Sequence, residues 1–229
     1  MSIVRERPAF AVGCAGFPVE PDEYATALDF VEVQETFVDP PGAEALPGGR
    51  DLVRALIAWQ VITHPRGDHS GLSSEIPDHA AVGHFERSRW TDEAWDRMDT
   101  LARAVRASAI VFRTPPSFTP TNEHATRLEN FVAHAERPGL HFAWEWSGTW
   151  TPPKALAVCE RLGMMPVIDP TSTPIPETEM VYLRVSRRRG ATSEAALARI
   201  ADGTRGREGF LVFDGPAAWE DARRLVKML

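Results

Sequence analysis

Short apolar runs recur along this chain and alternate with segments that have helical periodicity. Eight of these runs are rich in β-branched and aromatic residues and predict β-strands. They are Ala9–Gly13, Phe30–Gln34, Ala58–Thr63, Ala109–Arg113, Leu140–Glu145, Met165–Asp169, Met180–Val185 and Gly209–Asp214. Several are almost continuously apolar, which is typical of parallel strands that helices cover and less typical of half-exposed antiparallel strands.

Amphipathic segments between these runs predict five helices. They are Glu93–Ala107, Glu123–Arg137, Pro152–Leu162, Ser193–Ala201 and a last helix that runs from Trp219 to Leu229. Thr91 and Thr151 are the predicted N-caps of the first and third helices, and Gly163 is the predicted end of the third. Repeated strand–helix alternation predicts a parallel α/β fold. Eight strands in 229 residues favour a single TIM-type (β/α)8 barrel domain over residues 1–229.

Three intervals depart from this alternation. Asp39–Arg50 and Pro170–Thr178 each contain several prolines and predict irregular connections after strands two and six. The interval Pro65–Trp90 is long and polar. With its border it contributes four histidines, which are His64, His69, His79 and His84. Long irregular connections on a barrel are more often functional than accidental, so these intervals are candidates for a site.

Charge and composition narrow the possible partners. A net charge of −7 and a pI near 5.5 argue against a nucleic-acid partner. The main basic run, Arg187–Arg189, is either a solvated loop or a clamp for an anion. Cys14 and Cys159 lie in different predicted elements and predict no disulfide framework. The sequence has no apolar signal core and no apolar stretch of about 20 residues, so we expect a cytoplasmic protein without a membrane segment.

Polar residues end all eight predicted strands. They are Cys14, Glu32 with Gln34 and Glu35, Thr63 with His64, Arg113, Glu145, Asp169, Arg184 and Asp214. In a barrel the carboxyl-terminal ends of the strands face the active-site mouth. We therefore expect one polar site at these strand ends, with a small polar or anionic molecule as its ligand.

The carboxylates among these residues suggest acid–base or metal chemistry. Glu145 and Asp169 close adjacent predicted strands and could share a proton or a metal ion, and Glu32 is a further catalytic candidate. With Asp214 and His64 they could hold a divalent cation, as in metal-dependent sugar isomerase barrels. The alternative is a set of carboxylates paired to the arginines at the strand ends, without a metal.

The remaining strand-end residues suggest substrate contacts. Thr63 is a candidate substrate contact. His64, which follows it, is a candidate general acid or base, and the alternative is a histidine that is only hydrogen-bonded. Arg184 and Arg113 are candidate anchors for an anion because a guanidinium group matches phosphate and carboxylate. Trp146 belongs to a tryptophan cluster after strand five that could stack on a sugar face or pack in the core.

Several short motifs carry a resemblance to a known family. They are Gly13-Cys14-Ala15-Gly16-Phe17, Phe30-Val31-Glu32-Val33-Gln34-Glu35-Thr36-Phe37, Ala58-Trp59-Gln60-Val61-Ile62-Thr63-His64-Pro65, Val111-Phe112-Arg113-Thr114-Pro115-Pro116-Ser117-Phe118, Trp144-Glu145-Trp146, Asp169-Pro170 and Tyr182-Leu183-Arg184. In this order and spacing, and over nearly the whole chain, they resemble the YecE-like family, domain of unknown function 72. The resemblance implies a TIM-barrel-type fold related to sugar-isomerase-like barrels and supplies no established reaction.

The chain also departs from the pattern of that family at several polar positions. It has Ile57 where lysine is usual, Arg113 for glutamine, Ser147 after Trp146 where the segment usually carries arginine, Val185-Ser186 for His-Gly, and Phe213-Asp214-Gly215 for Phe-Asn-Asn. Two main hypotheses follow. One is a diverged enzyme with isomerase-like or hydrolase-like activity, in which Arg113 and Asp214 are new substrate contacts. The other is a barrel that has lost catalysis and binds a ligand or a partner. A metal-dependent nuclease or phosphoesterase is a third hypothesis, disfavoured by the acidic charge.

Overall fold

Eight parallel strands form a closed barrel in which the strands follow one another in chain order. The structure is a computed structural model that describes residues 10–47, 52–69, 71, 76–77, 79–135 and 138–229. The strands are β1 (Phe10–Ala15), β2 (Phe30–Val33), β3 (Val53–Ile57), β4 (Ala109–Arg113), β5 (His141–Glu145), β6 (Met165–Ile168), β7 (Met180–Ser186) and β8 (Glu208–Asp214). The prediction of a (β/α)8 barrel is therefore confirmed.

Helices alternate with the strands for most of the chain. They are α1 (Pro21–Ala27), α2 (Gln60–Thr63), α3 (Arg89–Ala104), α4 (Asn122–Ala135), α5 (Pro152–Leu162), α6 (Glu194–Thr204) and α7 (Ala218–Val226). No α-helix occurs in the described residues 34–47 or in 169–179, which confirms the irregular connections after strands two and six. No helix in the described ranges is long and apolar enough to cross a bilayer.

The third strand lies earlier in the chain than the sequence predicts. The predicted run Ala58–Thr63 was wrong, because the strand is Val53–Ile57 and the buried residues of α2 follow it. Arg54 interrupts the apolar pattern, yet it is buried, and its guanidinium donates to the carbonyl of Pro47 at 3.4 Å. Thr63 therefore ends a helical turn, and His64 follows that turn rather than a strand.

The chain forms two compact units, and the first holds the described residues of 1–32, 48–53 and 168–229. Its four strands lie side by side in the order β2, β1, β8, β7. Aromatic rings fill one face of this sheet, with Phe210 5.2 Å from Phe30 and 5.7 Å from Tyr182 between ring centroids. The helix α1 was not predicted, because it is short and buries only Tyr24.

The second unit holds the described residues of 33–47 and 54–167, with β3, β4, β5 and β6 side by side. Its core centres on Trp95 of α3, whose ring lies 5.6 Å from those of Phe131 and Phe142. The helix α3 begins before its predicted start because Ser88, and not Thr91, is its N-cap; the Ser88 hydroxyl accepts from the Thr91 amide at 3.2 Å. The single domain over residues 1–229 stays a prediction.

The ends of α5 test two local predictions. Thr151 occupies the N-cap position as predicted, but its side chain makes no capping hydrogen bond. Gly163 ends the helix in the left-handed conformation, with φ of 64°, as the sequence predicts. The C-terminus of α5 is thus fixed by the backbone conformation of Gly163, whereas its N-terminus has no side-chain cap.

Candidate functional site

In the first unit, Glu32 on β2 and Arg184 on β7 form a buried ion pair. Glu32 has no exposed surface and Arg184 is 5% exposed. The same carboxylate oxygen, Oε2, accepts from the hydroxyl of Tyr182 and from the guanidinium of Arg184. Tyr182 and Arg184 are two residues apart on one strand and so share a face. The contacts span the two strands β1 and β8 and tie β2 to β7.

The ends of β7 and β8 carry a more exposed polar pair. Ser186 and Asp214 are register partners, and the Ser186 hydroxyl donates to Asp214 Oδ2 at 3.3 Å. The Arg187 amide donates to the Asp214 carbonyl at 2.9 Å. Gly215 has a φ of +119°, and a Cβ there would lie 2.0 Å from the Arg187 carbonyl oxygen. Glycine therefore lets the two strand-end loops touch.

Asp169 follows β6 and forms a turn. Its Oδ1 accepts from the amide of Thr171 at 2.8 Å and from the Thr171 hydroxyl at 2.6 Å. Such a side-chain-to-backbone bond two residues on is a common way for aspartate to begin a loop. In this structure the Asp169 carboxylate has a turn-forming role, which explains locally why no helix begins after β6.

In the second unit, Arg113 joins the ends of β4 and β5. Its Nε donates to Glu145 Oε2 at 2.8 Å, and its Nη1 donates to Gln34 Oε1 at 3.0 Å. Arg113 and Glu145 are register partners, so the pair follows directly from the strand alignment. Their side chains are 26% and 31% exposed, which leaves this polar cluster accessible to a ligand.

His64 lies within electrostatic range of Arg113. Its Nδ1 is 2.8 Å from the hydroxyl of Thr63, and its ring lies edge-on to Phe37 with centroids 5.0 Å apart. Burial, with smaller contributions that include the charge of Arg113, lowers the pKa of His64 from 6.5 to about 4. His64 is therefore a neutral imidazole at pH 7.

A strained turn covers the end of α2. Gly83, His84 and Phe85 have φ angles of 86°, 50° and 54°, although only the first is a glycine. Their amides donate in turn to the carbonyls of Val61, Thr63 and Ile62, at 2.9 to 3.0 Å. Strain of this kind persists where the surrounding structure imposes it, often at functional sites. The turn fixes the backbone of His84.

The His84 side chain joins a second polar group. Its Nε2 is 2.9 Å from the Ser117 hydroxyl, which donates in turn to Asp68. The rings of His84 and His124 lie 4.6 Å apart. Burial, followed by the nearby His124, lowers the pKa of His84. Of these residues the sequence indicates His84 by itself and Ser117 only within a motif. Asp68 and His124 were not predicted, because nothing in their spacing signals the contact.

Among the three tryptophans at and after the end of β5, only Trp146 is suited to contact a ligand. Trp144 and Trp150 are buried and donate from their indole N–H groups to the Thr114 hydroxyl and the Phe118 carbonyl. Trp146 is half-buried and lies against Trp144, with ring centroids 5.9 Å apart. An indole with one accessible side can pack on an apolar sugar face.

The two cysteine thiols are expected to be unreactive in the folded protein. Cys14 and Cys159 are both buried and free. Burial raises the pKa of each to about 12, so almost no thiolate is present at neutral pH. Neither cysteine is suited to act as a nucleophile.

The described residues do not fit a divalent-metal site. No group of three or more histidine, cysteine, aspartate or glutamate side chains within them is placed to hold a metal ion. Of the ligands suggested by the sequence, Glu145 is paired with Arg113 and Asp169 caps its own turn.

These features define a class of protein: a TIM-type barrel with charged and histidine side chains at and near its carboxyl-terminal strand ends. The family model described as "Protein of unknown function DUF72" matches residues 20–229. The chain belongs to this family, and the YecE-like resemblance is confirmed.

Solved structures agree with this assignment. A DUF72 family protein of Enterococcus faecalis V583 is 17% identical, with a TM-score of 0.69 over 95% of this chain and 96% of that one. A D-psicose 3-epimerase, crystallised in the presence of D-fructose, is 10% identical, with a TM-score of 0.59 over 95% and 97% of the two chains. A search of curated proteins gave no match. At these identities the likenesses show the fold alone.

Proposed function

We propose that the protein is an enzyme that acts on a sugar or another small polar, anionic molecule at the carboxyl-terminal ends of its strands. The observation that supports this most is a neutral His64 within electrostatic range of Arg113, which is itself paired with Glu145. A neutral imidazole can accept a proton, and a guanidinium group can hold a substrate oxygen on which negative charge develops. Together they suit proton transfer next to a carbonyl or hydroxyl group.

The roles follow from the partners within the second unit. His64 accepts the proton, with its ring oriented by Thr63 and Phe37. Arg113 anchors a substrate oxygen, and Glu145 holds the Arg113 side chain and serves as a second acid or base. Trp146 packs against the sugar. The sugar-enzyme fold neighbour supports the substrate class only as an analogy.

Four further residues belong to the same sequence-based hypothesis. Glu32 and Asp169 as catalytic groups, and Arg184 and Asp214 as substrate contacts, stay predictions. Glu32 and Arg184 are already engaged with one another in a buried ion pair. We expect Glu32 and Arg184 to contribute to a reaction by holding Tyr182 and the ends of β2 and β7 in place.

The test is solvent hydrogen exchange. The purified protein is incubated in D2O with aldoses, ketoses and their phosphates, and NMR follows deuterium incorporation and new sugar signals. We expect exchange with at least one sugar and a loss of about 100-fold or more in His64→Gln. His141→Gln is the matched control, because His141 is exposed at the opposite end of β5.

Binding is measured in parallel by thermal shift. A ligand at about 100 times its dissociation constant adds roughly 2.7 kcal/mol of stability, and Glu145→Gln should abolish that gain. If sugars bind but none of them exchanges hydrogen with the solvent, the proposed catalysis is wrong and the protein is a barrel that only binds a ligand. Absence of both would overturn the proposal altogether.

A further inference from the structure

Arg187, the first residue after β7, has a polar atom with no partner. The residue is half-buried, and its Nε has no hydrogen-bond acceptor. Neither an ion pair nor a side-chain hydrogen bond is found for it among the described residues. A buried donor without an acceptor is unfavourable, and more so when it belongs to a charged group. The Nε of Arg187 can therefore donate a hydrogen bond to an acceptor on a bound ligand.

The two arginines that the sequence suggested as anion anchors differ from Arg187. Arg184 is paired with Glu32, and Arg113 is paired with Glu145. A carboxylate already neutralises each of these guanidinium groups, so a fully charged phosphate or carboxylate would have to compete with it, whereas the oxygen assigned to Arg113 only develops charge during the reaction. Arg187 has no such competitor within the described residues.

The surroundings of Arg187 are positive in an otherwise acidic protein. Arg188 and Arg189 follow it directly and are exposed, and the described residues give neither an ion pair. The nearest acid on the neighbouring strand, Asp214, accepts instead from Ser186. Three consecutive cations without a counter-ion, in a chain of net charge −7, form a local field that attracts anions.

The backbone of Arg187 is held on both sides. Its amide donates to the Asp214 carbonyl at 2.9 Å, and its own carbonyl lies against Gly215, where a Cβ would come within 2.0 Å. A second buried atom without a partner, the Thr192 hydroxyl, lies in the same β7–α6 connection. A donor on a fixed backbone binds a ligand with a smaller loss of conformational freedom.

We propose that Arg187 binds an oxyanion group, a phosphate or a carboxylate, at the carboxyl-terminal ends of β7 and β8, with Arg188 and Arg189 strengthening the local field. The inference goes beyond the proposed function, because Arg187 belongs to the first unit and His64 and Arg113 belong to the second. The planar guanidinium offers parallel N–H donors that match two oxygens of a phosphate or a carboxylate. A phosphate and a carboxylate therefore offer Arg187 the same pair of acceptor oxygens.

The experiment is calorimetric titration with four probes: inorganic phosphate, a hexose 6-phosphate, gluconate and a neutral hexose. We expect at least one anionic probe to bind more tightly than the neutral hexose, and Arg187→Gln to raise its dissociation constant tenfold or more. Arg205→Gln is the matched control, because Arg205 is an exposed arginine beyond the end of α6. Tight binding of the phosphates identifies a phosphate, and tight binding of gluconate alone identifies a carboxylate.

A second measurement separates binding from folding. Because the Nε of Arg187 has no partner, Arg187→Gln should melt without an anion at the wild-type temperature or above it. Lower melting would show that Arg187 stabilises the fold and would overturn the proposal. Equal binding of anionic and neutral probes, or unchanged binding in Arg187→Gln, would overturn it too. Hydrogen exchange on neutral sugars, lost only in His64→Gln, would leave the proposed function standing.

Discussion

Replacing Glu32 by alanine removes the acceptor of both Arg184 and Tyr182 from a fully buried position. The guanidinium then stays in the interior without its carboxylate. Removing one partner of a buried ion pair costs about 3–5 kcal/mol, because the other charge is left uncompensated. For a chain of this length each kcal/mol lowers the melting temperature by roughly 2–4 °C. We therefore expect Glu32→Ala to melt on the order of 10 °C lower than wild type.

The assay is urea unfolding followed by tryptophan fluorescence, with circular dichroism as a second probe. Glu35→Ala is the matched control, because Glu35 is exposed three residues later and its removal should change stability by about 0.5 kcal/mol or less. The double variant Glu32→Leu/Arg184→Met removes both charges and should recover much of the loss. A loss below about 1 kcal/mol in Glu32→Ala, or single losses that simply add in Glu32→Ala/Arg184→Ala, would refute a buried, coupled pair.

Two further predictions concern a histidine and a helix cap. The pKa of His64 is about 4 in the folded protein against an ordinary 6.5, so the unfolded chain takes up this proton first as the pH falls. Stability should therefore decline between about pH 6.5 and pH 4, and melting curves should show a shallower decline in His64→Gln but not in His141→Gln. Ser88→Ala should lower the free energy of unfolding by about 1 kcal/mol, since Ser88 caps α3. Thr151→Ala should have almost no effect in the same urea titration, and equal losses in the two variants would contradict the capping assignment.

The barrel could be predicted from the sequence because most of its strands are apolar enough to show as runs. The strand β4 and the helix α5 have the predicted boundaries. The strand β3 does not, because Arg54 breaks its apolar pattern, and residue type alone does not show that this arginine is buried with a hydrogen bond to the carbonyl of Pro47. The apolar run after it is a short buried helix, and a short apolar run does not distinguish a helix from a strand.

The candidate site could be predicted in its residues but not in its pairings. Arg113 and Glu145 end neighbouring strands, so their ion pair was one of the alternatives that the sequence offered. Glu32 and Arg184 are 152 residues apart, and only the strand order brings them into contact. His84 is positioned by a left-handed turn that non-glycine residues rarely adopt, which local preferences predict against.

The two buried thiols allow local unfolding of the protein to be measured. Cys14 belongs to the first compact unit and Cys159 to the second, and neither reacts readily while it is buried and protonated. The rate at which a thiol reagent modifies each cysteine therefore measures how often that unit opens. Equal rates mean that the two units open as one cooperative body, and unequal rates identify the less stable one.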